Sequence, residues 1–107
     1  MNDRFRFRVW DKENNKYSQF NYLNFYEYIT MPDRCVVEQC TGLKDKNGKL
    51  IYEGDIVRYT RYAWTLEEEF KYTEIIRWDL YEFNIKNWED EKEVIGNIHE
   101  NPELLEK

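Results

Sequence analysis

The chain has 107 residues, 18% aromatic and 36% charged, with 16 basic and 22 acidic side chains for a net charge of −6. That length makes one domain, residues 1–107, whose modest core needs neither metal nor disulfide, and the aromatic content excludes a disordered chain. Residues 1–60 hold 10 Lys/Arg and 9 Asp/Glu while residues 61–107 hold 6 and 13, so the second half presents the wrong field for gripping nucleic acid. The first eight residues lack the apolar segment of a signal peptide, and no apolar run is long enough to span a membrane. The expected place is the cytosol.

Phe5 to Trp10 alternate, with Phe5, Phe7 and Val9 on one face and Arg4, Arg6, Arg8 and Trp10 on the other, as in a half-buried strand. A polar loop follows over 11–16. Tyr17 to Ile29 is dense in aromatics and changes parity near Leu23, which predicts either a strand with a bulge or two short strands. Met31 to Arg34 reads as a turn, and Cys35–Leu43 as the next strand. Its hairpin tip carries Asn47-Gly48, the pair that suits a type I′ turn. Glu53-Gly54-Asp55 then punctuates the chain before a strand over Ile56–Tyr62. Residues 63–71 are ambiguous, because Thr65 with Glu68 fits a capping box and one helical turn.

Tyr72–Trp78 reads as a strand and Asp79-Leu80 as a tight turn. In the next segment Tyr81, Phe83 and Ile85 alternate inward. Asn87–Glu93 is an acidic loop and Val94–Ile98 a last strand. Asn101, Pro102 and Glu103 form a helix start with room for about one turn. Six or seven short strands in one antiparallel-rich barrel or roll are expected.

The inventory argues against catalysis. One histidine, His99, and one serine, Ser18, would both have to serve a single triad, and Cys40 with His99 would pair only by tertiary accident. Cys35 and Cys40 are five residues apart on opposite strand faces, roughly 16 Å at ~3.3 Å per residue, beyond disulfide reach. They cannot complete a four-ligand zinc site with a single histidine. Glu67-Glu68-Glu69 and Glu89-Asp90-Glu91 lack the ligand spacing and glycine of an EF-hand loop, so solvated charge is the plainer reading. The four glycines match no phosphate-cradling pattern. No catalytic, cofactor-binding or metal-binding residue is therefore expected, and no cofactor. The Arg4, Arg6, Arg8 row with Trp10 could clamp a single strand of nucleic acid, but cross-strand pairing with the acids of the second half is the simpler expectation.

Three blocks carry a family resemblance. They are Phe7-Arg8-Val9-Trp10-Asp11; Gln39–Val57, with Thr41-Gly42-Leu43, Asp45, Gly48 and Ile51-Tyr52-Glu53-Gly54-Asp55; and Ile95–Leu105, with Gly96-Asn97 and Glu100-Asn101-Pro102-Glu103-Leu104-Leu105. Ile75-Ile76-Arg77-Trp78 is similar to a strand between the last two. Together they resemble the YopX family of phage and prophage proteins. The resemblance implies an SH3-like β roll that self-associates and supplies no catalytic residue. The expected function is that of a phage-encoded, non-enzymatic module that binds a protein partner or itself as a homo-oligomer. The candidate binding surface is Trp10, Tyr52, Glu53 and Asp55, weighed against a purely structural turn at 52–55. The four tryptophans and nine tyrosines exceed the needs of one small core, so some are expected at an interface. Two alternatives are an acidic mimic of DNA, which requires the acids of 61–107 to form one face, and a small carboxylate- and Mg²⁺-dependent hydrolase or nuclease, which requires clustered acids.

Overall fold

The structure is a computed structural model that describes residues 5–79, 82–84 and 92–105. Strands dominate: β1 (Phe7–Asp11), β2 (Lys16–Gln19), β3 (Cys35–Lys44), β4 (Leu50–Tyr52), β5 (Asp55–Ala63), β6 (Glu68–Ile75), β7 (Trp78–Asp79), β8 (Glu82–Phe83) and β9 (Glu93–Asn97). One short helix, α1 (Phe25–Thr30), precedes β3, and a 3-10 turn, Pro102–Leu105, ends the described chain. The strands form curled antiparallel sheets, ordered β2-β1-β3-β4, β6-β5-β9 and β7-β8, that together make a half-barrel. This is the mainly β roll with a short C-terminal helical turn that the alternation predicts.

β3 does the bending. Its first half pairs with β1, from Phe7↔Gln39 to Asp11↔Cys35, and its second half with β4, with a register shift between Cys40 and Lys44. A shift of this kind kinks a strand and raises its twist, so one ten-residue strand serves two neighbours in turn. The Thr41 hydroxyl donates to the Ile51 carbonyl at 2.8 Å and closes the bend.

The interior holds Ile51, Val57, Ile76 and Phe83, with Leu43 and Val94 packed against them. Consecutive apolar residues are buried in two strands, Val9 with Trp10 in β1 and Ile56 with Val57 in β5. Neighbours in a strand point to opposite faces. Both strands therefore run through the interior at those points, whereas simple alternation predicts one wet face. Each aliphatic side chain so buried contributes about 1.5–3 kcal/mol.

Several local expectations are corrected. Tyr17–Ile29 is not a bulged strand: β2 stops at Gln19, and a 3-10 turn, Tyr22–Asn24, leads into α1. The apparent parity switch was helical spacing, since Tyr22, Phe25, Tyr26 and Ile29 recur at intervals of three and four. The hairpin tip is not type I′. Among described non-glycine residues only Asn15 and Glu67 have positive φ, so Asn47 does not, while Gly48 has φ 82°. Gly48 N–H donates to the Asp45 carbonyl at 3.0 Å and Asp45 N–H to the Lys49 carbonyl at 2.8 Å, the pattern of a tighter turn followed by a left-handed glycine.

No helical turn forms over 63–71. Residues 64–67 are a hairpin turn, and Glu68 already faces Ala63 across the sheet. The pairing with β5 outweighs the local capping signal. The strand expected over Tyr72–Trp78 breaks after Ile75, and Trp78–Asp79 pairs instead with Glu82–Phe83. Asn101 uses its side chain to accept from Asn97 N–H at 3.2 Å, and its carbonyl accepts from Leu104 N–H at 3.1 Å. It thus turns the corner after β9 and does not cap the last turn with its side chain. Arg4, Leu80, Tyr81, Ile85, Trp88 and the 87–91 part of the acidic loop lie outside the described residues.

Candidate functional site

Two places attract attention: a buried ionic corner and an exposed hairpin arm. The corner starts at Glu53-Gly54-Asp55. Here the backbone is shared among three neighbours. Glu53 N–H donates to the Gln39 carbonyl, Gly54 N–H to the Ile76 carbonyl, Ile76 N–H to the Asp55 carbonyl and Ile98 N–H to the Gly54 carbonyl, all at 2.8–3.0 Å. Gly54 has φ 88°, and a Cβ there would overlap the Glu38 Oε2 atom. Only glycine permits both the left-handed backbone and this approach.

Glu38 reaches the same corner from β3, and Arg8 from β1. Arg8 Nε donates to Glu38 Oε1 at 2.9 Å and Nη2 to Asp55 Oδ1 at 2.8 Å. Glu38 and Asp55 are each only 2% exposed. Asp55 Oδ2 accepts from Tyr52 N–H at 2.8 Å. Tyr17 OH donates to Glu38 Oε1 at 2.9 Å, and His99 Nε2 lies 3.0 Å from Glu38 Oε2. The guanidinium is sandwiched, with its carbon 4.2 Å from the Tyr17 ring centre and 4.7 Å from that of Tyr52, an arrangement in which ring faces stabilise a cation. Trp10 stacks on His99 at 4.7 Å and nearly parallel. Asn97 fixes His99 by accepting its backbone N–H at 3.0 Å.

Desolvation is the largest single influence on Arg8, Asp55 and Tyr17. It opposes the Arg8 charge, but Asp55, Tyr17 and Glu38 outweigh it and leave the Arg8 pKa raised. It pushes the Asp55 carboxyl above its usual range despite Arg8. It also drives the Tyr17 phenol well above its ordinary value, with Glu38 adding to the effect. No buried side-chain nitrogen or oxygen among the described residues lacks a partner. The carboxylates are thus spent on Arg8, the phenol, the imidazole and a backbone amide.

Sequence reasoning placed Trp10, Tyr52, Glu53 and Asp55 on a binding surface. The structure does bring them together, but Trp10 and Asp55 are buried and Tyr52 and Glu53 only half-exposed. Their side chains build the corner, because Glu53 Oε1 accepts from Gln39 N–H at 3.2 Å while Asp55 holds Arg8. Arg8 was expected to pair with acids of residues 61–107 across an outer face. Its partners are Glu38 and Asp55, since β1 lies between β2 and β3 and the Arg8 face is covered by the 53–55 corner. Glu38, Tyr17 and the role of His99 were missed. The available signal was the set of three sequence blocks: the first supplies Arg8 and Trp10, the second Tyr52, Gly54 and Asp55, and the third His99.

A cavity of about 160 Å³ adjoins the other face of β1, lined by Val9, Asp11, Glu27, Tyr28, Arg34 and Cys35 among others. Both cysteines are free thiols. No group of three His, Cys, Asp or Glu side chains suited to a metal ion occurs among the described residues, and no described helix is long and apolar enough to cross a membrane.

The arm is the hairpin of β5 and β6, paired over eight residues from Ile56↔Ile75 to Ala63↔Glu68 without a register shift. Val57, Tyr59 and Arg61 share a face with Glu74, Tyr72 and Phe70. Val57 belongs to the core, so this aromatic face continues the core outward. Tyr59 and Tyr72 stack at 5.3 Å. Lys92 Nζ lies 4.8 Å from the Tyr59 ring centre. Tyr62, Phe70 and Tyr72 are exposed, as is Leu66 at the tip, and Trp64 is 82% exposed.

A curled antiparallel half-barrel pinned by one buried ionic corner defines a small β-roll protein. The chain belongs to the YopX protein family, whose description matches residues 22–106. The match begins after the first sequence block, so β1 and β2 lie before it. Among solved structures, the crystal structure of protein EF1440 from Enterococcus faecalis is similar, with 27% sequence identity, a TM-score of 0.65, and coverage of 94% of this chain and 97% of that one. No curated protein matches the chain.

Proposed function

We propose that the protein is a non-enzymatic binding module whose ligand is another protein chain and whose contact surface is the β5–β6 arm. The observation that carries this reading is the exposure of Tyr62, Trp64, Leu66, Phe70 and Tyr72 on one hairpin. Large apolar side chains gathered in one place mark interaction surfaces far more often than scattered ones do. Family membership supports a phage- or prophage-encoded, cytosolic setting. The ionic corner supports the non-enzymatic half of the reading. Arg8 already bridges Glu38 and Asp55, so this buried carboxylate pair already holds a cation of its own. Added Mg²⁺ or Mn²⁺ should leave the melting temperature unchanged. On the arm, Glu68, Glu69 and Glu74 are interleaved with Arg58, Arg61 and Lys71, which does not favour a DNA-mimicking acidic face.

The test is a photo-cross-linking amino acid placed at Trp64, with a second at Lys49 on the opposite hairpin tip as control, in the producing cell. Discrete protein adducts from position 64 and none from position 49 are expected. No adduct from position 64, or the same adducts from both positions, would overturn the reading.

A further inference from the structure

The open edge of β6 carries the argument one step further, resting on the reading of the arm as the contact surface. Among the described residues β6 pairs with β5 and with no other strand. Its residues Glu68 to Thr73 are all exposed. Edge strands are normally blunted by proline, bulges, brevity or charged side chains. β6 has eight residues, no proline and no register shift. Among the described residues it therefore presents an uninterrupted row of backbone donors and acceptors. What it does carry is charge, Glu68, Glu69, Lys71 and Glu74, and the order of those charges selects a partner.

We infer that β6 pairs antiparallel with β6 of a second copy, in a twofold register centred on Phe70. Two identical edges aim the same alternate residues outward, so residues opposite one another across the twofold must share parity. The axis must then pass through a residue and not between two. Centred on Glu69, the two Glu69 carboxylates face each other. Centred on Lys71, the two ammonium groups do so, and Glu68 faces Glu74. Centred on Tyr72 or Thr73, Lys71 faces no carboxylate. Centred on Phe70, each Glu69 faces the Lys71 of the other copy, twice by symmetry, and Phe70 meets Phe70. Opposite charges directly across a ladder stabilise it, while like charges oppose it.

Neither Glu69 nor Lys71 is committed elsewhere, since the ion pairs of the described residues run Arg8–Glu38, Arg8–Asp55, Arg34–Glu13, Lys46–Glu93 and His99–Glu38. The same register joins the aromatic faces of the two arms, placing Phe70 and Tyr72 of both copies side by side. It thereby shields part of Phe70 and Tyr72, which a lone arm leaves in water.

The experiment is light scattering on the full chain over a range from about 1 to 100 µM. The wild type is expected to pass from its 13.4 kDa chain mass to twice that value. Lys71→Glu and Glu69→Lys each set two like charges face to face, and each should shift the transition at least tenfold to higher concentration. Combining them recreates the ion pairs with the signs exchanged and should restore the wild-type transition. Both positions are exposed, and far-UV circular dichroism identifies any variant that fails to fold; restoration by the pair then decides. A wild type that stays monomeric throughout overturns the inference, as does a dimer indifferent to the single reversals or not restored by the swap. Cross-linking of the arm to a different protein with a monomeric wild type would remove this partner while leaving the arm as a contact surface.

Discussion

The two ends of β5 are built on opposite terms. At its start Asp55, Ile56 and Val57 are buried, and the preceding Gly54 is wedged against Glu38. Further along, Arg58 and Thr60 to Tyr62 are exposed, and beyond Arg58, which faces Glu93 of β9, β5 pairs with β6 alone among the described residues. Backbone conformation, charge and packing all depend on one another at the corner, so a change in one cannot be absorbed by the rest. On the arm the side chains meet at the surface in ring contacts, Tyr59 with Tyr72 and Tyr62 with Trp64. The strand thus carries structural specificity at one end and leaves the other available for contact.

Breaking the corner should have the largest effects. Arg8→Ala leaves two buried carboxylates without their cation, a loss of about 3–5 kcal/mol, which thermal unfolding would register as a drop of well over ten degrees. Gly54→Ala combines a left-handed backbone with overlap onto Glu38. A double-mutant cycle separates the two, because Gly54→Ala should cost less in a Glu38→Ala background, where the overlap is gone and only the backbone strain remains. Equal costs in both backgrounds would show that Glu38 does not press on Gly54.

Asp45 is a second, smaller anchor, at the opposite hairpin. Its Oδ1 accepts from the Asn47 and Lys49 amides at 2.9 Å, and its Oδ2 from Val94 N–H at 3.0 Å. Burial pushes this carboxyl up, but the three amides outweigh burial and hold its pKa below the usual range. An aspartate in the unfolded chain titrates near 3.9. The stabilisation from Asp45 is therefore complete above about pH 4 and is lost as pH falls through its lower folded value. Asp55, raised by burial, acts in the opposite sense, gaining stability as pH falls from its folded value toward 4. Asp45→Asn keeps the Oδ1 bonds and loses the one to Val94. It should cost about 1.5–3 kcal/mol at neutral pH and flatten the acid limb of a stability–pH curve. An acid limb as steep as that of the wild type would remove Asp45 from this role.

The contrast between corner and arm also explains what could be read in advance. The strands of β1, β3, β5 and β9 were legible because period-two alternation and turn residues mark them directly. The Glu53-Gly54-Asp55 corner was visible as punctuation, but its function as a socket was not. Glu38 and Asp55 lie 30 and 47 residues from Arg8 along the chain, and no local pattern encodes the β1–β3 register that sets Glu38 opposite Arg8 or the turn that brings Asp55 onto the same guanidinium. Glu38 in particular looks like any polar residue of an alternating strand. The helix at Phe25–Thr30 was misread because six residues offer less than two turns of period. The aromatic surplus was legible as a number, while its location on the arm required the pairing of β5 with β6.

Glu53 tests where the corner ends. It is half-buried, and beyond its backbone bonds it gives one carboxylate oxygen to Gln39 N–H at 3.2 Å. Glu53→Ala should lower stability by about 0.5–1.5 kcal/mol, between the Arg8 value and zero. An unchanged melting temperature would return Glu53 to the list of contact residues and shrink the corner to Arg8, Glu38, Gly54 and Asp55.

Trp64→Ser sits at the far extreme of the comparison. The side chain is 82% exposed, and its one ring contact is edge-on to Tyr62 at 4.6 Å, another exposed residue. Little apolar area leaves water when it folds, so removing it should change stability by no more than about 0.5 kcal/mol. Solubility should rise instead, because a large apolar group has left the surface. Measuring Trp64→Ser and Arg8→Ala by the same denaturant titration puts the arm and the corner on one scale. If Trp64→Ser lost as much as Arg8→Ala, the tip would have to be packed against something in solution, and the arm would be part of the folded body.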